Sequence, residues 1–220
     1  MTSIRTLAAS LRHEPPKIRG SRFIASVAPV GSAEEATAFI EARRREFHDA
    51  THGCFAWRVG SDANHFRTSD DGEPSGTAGR PILREIDGRE LTDVVVVVTR
   101  YYGGTKLGTG GLIRAYAGAA SAALERAEIV EVPIVRSLRL HFPYELTGAV
   151  RSILNAFALT PGKSAYGAEV EMEIAVPVAE ADRVCRELRE ATAGRIGIEE
   201  DCRPAVLPKS NSRRPSASGR

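Results

Sequence analysis

The sequence is poor in cysteine, in long apolar runs and in net charge. Its 220 residues include three cysteines without a Cys-x-x-Cys spacing, which argues against a disulfide framework or a zinc knuckle. The longest aliphatic run, residues 94–98, is far shorter than the roughly 18 apolar residues of a membrane span. Residues 1–20 also lack the apolar core of a secretory signal. We therefore expect a cytoplasmic protein that does not enter a membrane.

The small net charge of +2 hides an uneven distribution of 30 basic and 28 acidic residues. Residues 1–20 carry +3, residues 203–220 carry +5, and the chain between them carries −6. Total charge therefore does not indicate nucleic-acid binding. A composition of 42% hydrophobic and 26% charged residues is typical of a globular protein, and the length fits one large domain or two small ones.

The first half predicts the order strand–helix–strand–strand–helix–strand–helix, preceded by a flexible arm over residues 1–20. Ser32 and Glu35 form a capping box at a helix start. The run 94–98 is apolar on both faces, which predicts a buried central strand. The predicted elements are a strand over 21–30, a helix that begins at 32 and is ended by Gly53, strands over 54–60 and 65–68 joined by a hairpin turn at 60–62, a helix over about 80–90, a strand over 94–99 and a helix from 112.

The second half repeats the pattern beyond a domain boundary at Val132-Pro133. Alternation and helical periods predict strand–helix–strand–strand–helix–strand, the order of a ferredoxin-like split βαβ fold. Residues 203–220 are rich in proline and serine and predict a disordered basic tail. The fold class is therefore α+β with two domains, over residues 21–132 and 133–202.

The first informative loop, Ser69 to Pro81, combines carboxylates with glycines. Clustered carboxylates are suited to holding Mg²⁺ or orienting a bound group, although the order of an EF-hand loop is absent. The alternative is a tight turn whose aspartates cap backbone amides. The signature residues of this loop are Asp70, Asp71, Gly72, Glu73, Pro74, Ser75 and Gly76.

The second informative stretch, Thr99 to Tyr116, contains a glycine-rich loop from Tyr101 to Gly111. It lies between the central strand and the following helix, where backbone amides and the helix dipole favour anions. It matches neither a Walker A loop nor a dinucleotide fingerprint, so a nucleic-acid backbone fits at least as well as a free nucleotide. Its tyrosines are suited to base stacking. The alternative is a structural crossover with tyrosines in the core. The candidate phosphate-binding residues are Arg100, Tyr101, Tyr102, Gly103, Gly104, Thr105, Lys106, Gly108, Gly110, Gly111 and Arg114.

A weaker cluster, His48-Asp49-Ala50-Thr51-His52, is similar to the zinc helix motif His-Glu-x-x-His. Gly53 ends the predicted helix there, and aspartate in place of glutamate draws back the general base, so we do not assign a zinc hydrolase. The sequence shows no serine nucleophile elbow. We assign no catalytic residue, metal or cofactor.

At these two loops the sequence resembles the YigZ/IMPACT family. Tyr102 stands where the family commonly has phenylalanine. The resemblance covers residues 21–125, and the second half resembles the C-terminal domain of bacterial members by pattern. The matching stretches are Ser21-Arg22-Phe23-Ile24-Ala25, His52-x-Cys54-x-Ala56, Asp70 to Gly79 followed by Arg80-Pro81-Ile82-Leu83, and Thr99 to Tyr116.

The resemblance implies an Impact N-terminal-type first domain, βαββαβα, with the fold of the second domain of a small-subunit ribosomal protein. It implies a ferredoxin-like second domain, βαββαβ, similar to a late domain of elongation factor G. Eukaryotic relatives regulate translation by competing for a partner of an initiation-factor kinase. The family supplies no catalytic set that transfers to this sequence.

Three hypotheses follow from the two loops. The leading one is a translation-linked, non-enzymatic protein that binds RNA or the ribosome through the glycine-rich loop. The second is a metal-dependent enzyme acting on a phosphate or nucleotide, with Asp70, Asp71 and Glu73 around the ion. The third is a module that holds a protein partner in translation control.

Overall fold

The computed structural model describes residues 2–60 and 64–206, with side chains described up to residue 200. The chain splits into two compact units between Ile134 and Val135. The hairpin turn predicted at 60–62 falls largely on residues 61–63, outside the described residues. No helix in the described part is long and apolar enough to cross a membrane.

From β3 onward, the first unit follows the predicted order of strands and helices. Its last strand, β7, continues across the boundary into the second unit. The elements are β1 (Ser3–Leu7), β2 (Leu11–His13), β3 (Arg22–Pro29), α1 (Ala33–Glu46), β4 (His52–Val59), β5 (His65–Ser69), α2 (Gly79–Asp87), β6 (Val94–Tyr101), α3 (Gly108–Leu124) and β7 (Ile129–Pro143).

The main sheet of the first unit has the strand order β2–β3–β6–β4–β5, and its neighbouring strands are antiparallel. Val94, Val96 and Val98 of β6 pack in the core with α2 and α3. Val95 and Val97 pack on the other face, in the core that contains α1. The prediction of a buried central strand is therefore confirmed, since helices cover both faces of β6.

The prediction of a flexible arm over residues 1–20 is wrong. Strand β1 pairs antiparallel with the start of β7, over 129–133, and β2 pairs with β3. Ile4 and Leu7 are buried. The strands are short, and the partner of β1 lies more than a hundred residues away in the chain, so no local pattern indicated that the segment is ordered.

The second unit has the predicted split βαβ order and the sheet order β10–β7–β9–β8. Helices α4 and α5 contribute Val150, Leu154, Val184 and Leu188 to its core. Strand β10 continues to Val206, so the prediction of a disordered tail is wrong for residues 203–206, and residues 207–220 lie outside the described residues. The elements after β7 are a 3₁₀ turn (Tyr144–Leu146), α4 (Thr147–Ala156), β8 (Pro161–Tyr166), β9 (Glu169–Pro177), α5 (Val178–Ala191) and β10 (Gly197–Val206).

Candidate functional site

Asp70 organises the acidic loop between β5 and α2. Its Oδ2 accepts a hydrogen bond from the Gly76 amide (2.8 Å), and its Oδ1 accepts from the Ala78 and Gly79 amides (2.9 and 2.8 Å). Burial raises the pKa of Asp70, but the bonds from Gly76, Gly79 and Ala78 outweigh burial and hold that pKa below its usual value. The carboxylate thus closes the loop and caps the start of α2.

Asp71 ties the same loop to β4 and α1. Its Oδ2 accepts from the Gly53 amide (2.6 Å), and its Oδ1 pairs with Nη2 of Arg44 (2.8 Å). The backbone oxygen of Asp71 lies 2.8 Å from Nδ1 of His52. Both carboxylate oxygens of Asp71 therefore have protein partners.

Glu73 and Arg100 form a buried ion pair that joins the two signature loops. Their side chains are 4% and 5% exposed, and Nη1 of Arg100 lies 2.6 Å from Oε1 of Glu73. The Tyr116 hydroxyl donates to the same oxygen at 2.7 Å. Arg100 was expected to contact phosphate, but its guanidinium is used inside the protein because Glu73 requires a buried positive partner.

His52 and Cys54 on β4 complete this polar cluster, although sequence reasoning gave them no role there. Nε2 of His52 lies 3.8 Å from Oε1 of Glu73, and the Cys54 thiol donates to the Asp70 backbone oxygen (3.0 Å). Burial raises the pKa of Cys54 to about 12 and also raises the pKa of Tyr116, so both stay protonated at neutral pH. The motif His52-x-Cys54 was the feature of the sequence that could have indicated their place in this cluster.

The three loop carboxylates do not converge on a common point that a metal would occupy. Asp70 accepts from backbone amides, Asp71 bonds to β4 and α1, and Glu73 is buried against Arg100. Within the described residues, no group of three or more histidine, cysteine, aspartate or glutamate side chains is placed to hold a metal ion. This geometry favours the alternative in which the aspartates cap backbone amides.

The start of the glycine-rich loop is bonded to the residues just before β3 and just before β4. The Tyr102 amide donates to Oγ1 of Thr51 (3.1 Å), and the Gly103 amide donates to Oγ of Ser21 (3.2 Å). A Cβ atom at Gly103 would lie 2.0 Å from the carbonyl carbon of Gly20. Only glycine permits this approach of the two backbones.

Helix α3 begins at Gly108, so the glycine-rich loop is shorter than predicted. Three glycines predicted for the loop, Gly108, Gly110 and Gly111, belong to the helix. No side chain caps the helix start, and its first turn contains no acidic residue. The exposed candidate residues here are Gly104, Thr105, Lys106, Gly108, Gly110 and Arg114, while Gly111 is half-buried.

Lys106 and Arg114 supply the exposed positive charge of this region. Neither forms an ion pair with a residue in the part of the chain that the structure describes. A Cβ atom at Gly110 would lie 3.7 Å from Nη1 of Arg114, which places that guanidinium over the first turn of α3. The charges thus lie where the helix dipole also favours an anion.

The three tyrosines of the loop have different environments. Tyr101 donates its hydroxyl to Asp49 (2.7 Å), and Tyr116 is buried. Tyr102 is 45% exposed. Of the predicted stacking residues, Tyr102 therefore presents the most accessible ring, and the core interpretation holds for Tyr116.

A cavity of about 180 Å³ lies on the α1 side of the sheet. Its lining includes Arg43 and Arg44, but these arginines pair with Glu46 (3.0 Å) and Asp71 (2.8 Å). His48 of the zinc-like motif also lines it. With its arginines already paired, the cavity is a weaker candidate than the glycine-rich loop.

This architecture defines a two-domain α+β protein. Residues 19–124 match the family model of the Impact N-terminal domain. Residues 140–195 match a domain of unknown function. The chain is 37% identical to the IMPACT family member YvyE of Bacillus subtilis, over 83% of this chain and 84% of YvyE. It is 35% identical to the IMPACT family member YigZ of Escherichia coli, over 83% and 90%. The chain belongs to the IMPACT family.

Two further likenesses extend this result. The Protein IMPACT homolog of Saccharomyces cerevisiae is 36% identical over 43% of this chain and 38% of the yeast protein. A solved structure described as a crystal structure of a hypothetical protein matches with a TM-score of 0.74 and 32% identity, covering 96% of this chain and 100% of that one. The likeness to the solved structure thus extends over both units, which supports the two-domain fold.

Proposed function

We propose that this protein is a non-enzymatic, translation-linked factor that binds RNA through the exposed part of its glycine-rich loop. The observation that carries the proposal is the pair Lys106 and Arg114, exposed and without a described ion-pair partner, at the uncapped start of α3. The proposed link to translation is based on the relatives in the family. The proposed RNA contact is based on the exposed charges of the loop.

The loop is a surface on which phosphates approach closely. Its exposed glycines leave backbone amides uncovered, and a helix start attracts anions. Each phosphate contact adds a sequence-independent, salt-sensitive contribution to affinity. Without the motif of a nucleotide-binding loop, this surface fits the repeated charges of a nucleic-acid backbone.

The sheet of the second unit is a poor surface for the same ligand. Arg139 and His141 of β7 lie within 4 Å of three glutamates, which are Glu171 and Glu173 of β9 and Glu199 of β10. Arg139 and the three glutamates together carry a formal net charge of −2, which repels phosphates. We therefore assign the RNA contact to the first unit.

The test is a salt titration of RNA binding by a double variant, K106A/R114A. We expect weaker binding and, because two phosphate contacts are lost, a salt slope reduced by about 1.4 for single-stranded RNA. The control is K163A/R186A, which removes one lysine and one arginine that are exposed on the second unit. Equal losses in the two double variants would refute the assignment to this loop.

The basic segment after Val206 requires a second control. Residues 207–220 contain four basic residues and no acid, so they add non-specific phosphate affinity. The same comparison is therefore repeated in chains that end at residue 206. A nuclease-treated pull-down separates an RNA contact from direct capture of a protein partner, because the latter survives nuclease.

A further inference from the structure

Tyr102 is held in place as an exposed aromatic surface at the start of the glycine-rich loop. Cζ of Arg100 lies 5.4 Å from the centroid of the Tyr102 ring and 5.6 Å from that of Phe23. A guanidinium stacked on aromatic faces stabilises their positions. Arg100 is itself fixed by Glu73 at 2.6 Å and by the Ser21 hydroxyl at 3.2 Å. The Tyr102 ring thus rests on buried, hydrogen-bonded groups although the residue is 45% exposed.

The backbone at this position is equally restricted. The amides of Tyr102 and Gly103 donate to Thr51 and Ser21, and Gly103 packs directly on the backbone of Gly20. A ring that is already ordered loses little conformational entropy when a ligand stacks on it. An exposed aromatic of this kind, followed four residues later by Lys106, has the composition of a surface that binds single-stranded nucleic acid.

We infer that the loop selects unpaired RNA and that one base stacks on Tyr102 while Lys106 and Arg114 contact the neighbouring phosphates. Bases within a duplex stack on each other and do not offer a free face, whereas unpaired bases do. This inference rests on the proposed function, because it names the kind of RNA that the same loop binds. It further restricts the stacking contact to one of the three tyrosines.

The test compares a fluorescent single-stranded RNA octanucleotide with a duplex of the same sequence, using the full chain. We expect the single strand to bind more tightly, and Y102A to weaken it about tenfold, the effect typical of one lost stacking contact. Y102F keeps the aromatic face and should bind within about twofold of the parent chain. The matched control is Y144A, at a tyrosine of the second unit that is 62% exposed, and it should change nothing.

A second readout detects stacking directly. A 2-aminopurine base in the strand should be quenched by the parent chain and by Y102F, but not by Y102A. If neither RNA binds at low salt, the proposed function fails. If RNA binding weakens in K106A/R114A but not in Y102A, or if duplex binds as well as single strand, the proposed function stands and this inference is overturned. Circular dichroism confirms that each variant is folded.

Discussion

Replacing Arg100 with methionine should strongly destabilise the first unit, because it leaves the Glu73 carboxylate buried without a positive partner. Both side chains are about 95% buried and their charged atoms lie 2.6 Å apart. Removing one member of such a pair costs about 3–5 kcal/mol. After the change, Glu73 keeps the Tyr116 hydroxyl at 2.7 Å and the His52 ring at 3.8 Å, and neither replaces a guanidinium bonded at 2.6 Å.

The double variant E73Q/R100M removes both charges, and its expected cost is smaller than that of R100M by about 2 kcal/mol. Glutamine still accepts from Tyr116, and the double variant has no uncompensated charge to desolvate. The single change E73Q leaves Arg100 unpaired and completes the double-mutant cycle. The coupling energy isolates the ion pair from the loss of packing by the long arginine side chain.

The assay is urea unfolding followed by tryptophan fluorescence. Trp57 is the single tryptophan of the chain and is 4% exposed in the core of the first unit, so its signal reports on that unit. A control change, R45M, alters an exposed arginine 3.9 Å from Glu41 and should shift stability by at most about 0.5 kcal/mol. The reasoning is refuted if E73Q/R100M is as unstable as R100M.

Two further predictions concern the backbone of the loops. D70N should destabilise the first unit by about 1–2 kcal/mol. Because the folded pKa of Asp70 lies below its unfolded value, its contribution to the free energy of unfolding is present above the unfolded pKa and is lost as pH falls through the folded pKa. In urea titrations at neutral and acidic pH, the stability difference between D70N and the parent chain should shrink at acidic pH. A difference that stays constant would contradict the prediction. G103A should destabilise the first unit by about 1–3 kcal/mol, since its Cβ would lie 2.0 Å from the Gly20 carbonyl carbon. The control G118A, on an open face of α3, should be neutral or stabilising by up to about 1 kcal/mol. Equal shifts of the two variants in thermal melts would exclude the clash.

The elements with strong local patterns were predictable from the sequence. Ser32 caps α1 by accepting from the Glu35 amide at 3.2 Å, and the valine run became the central strand. Strand β1 was not predictable, because its partner in the sheet is β7 and the pairing has no local signature. The start of α3 was placed four residues late because glycine-rich sequence is typical of a loop, whereas here the glycines form the first helical turn.

The two candidate loops could be identified in the sequence, but which of their side chains are buried and which are exposed could not. Sequence spacing identified Arg100 as one more cation in a basic loop, but its partner Glu73 lies 27 residues earlier in the chain. Burial decides whether a charge is presented to a ligand or neutralised inside the protein, and burial depends on tertiary packing. The same limit applies to Tyr116, which a linear reading does not distinguish from Tyr102.

The acidic loop and the glycine-rich loop are joined by internal bonds and differ in the charge that they expose. Asp70 accepts hydrogen bonds from backbone amides, and Glu73 pairs with Arg100. These carboxylates therefore hold the conformation of the two loops and are not directed at a ligand. After these internal pairs are made, the charge left at the surface of the glycine-rich loop is positive, from Lys106 and Arg114. A region that contains several acids can therefore still present a cationic surface, because Glu73 is neutralised by the buried Arg100 and Asp70 is bonded to backbone amides.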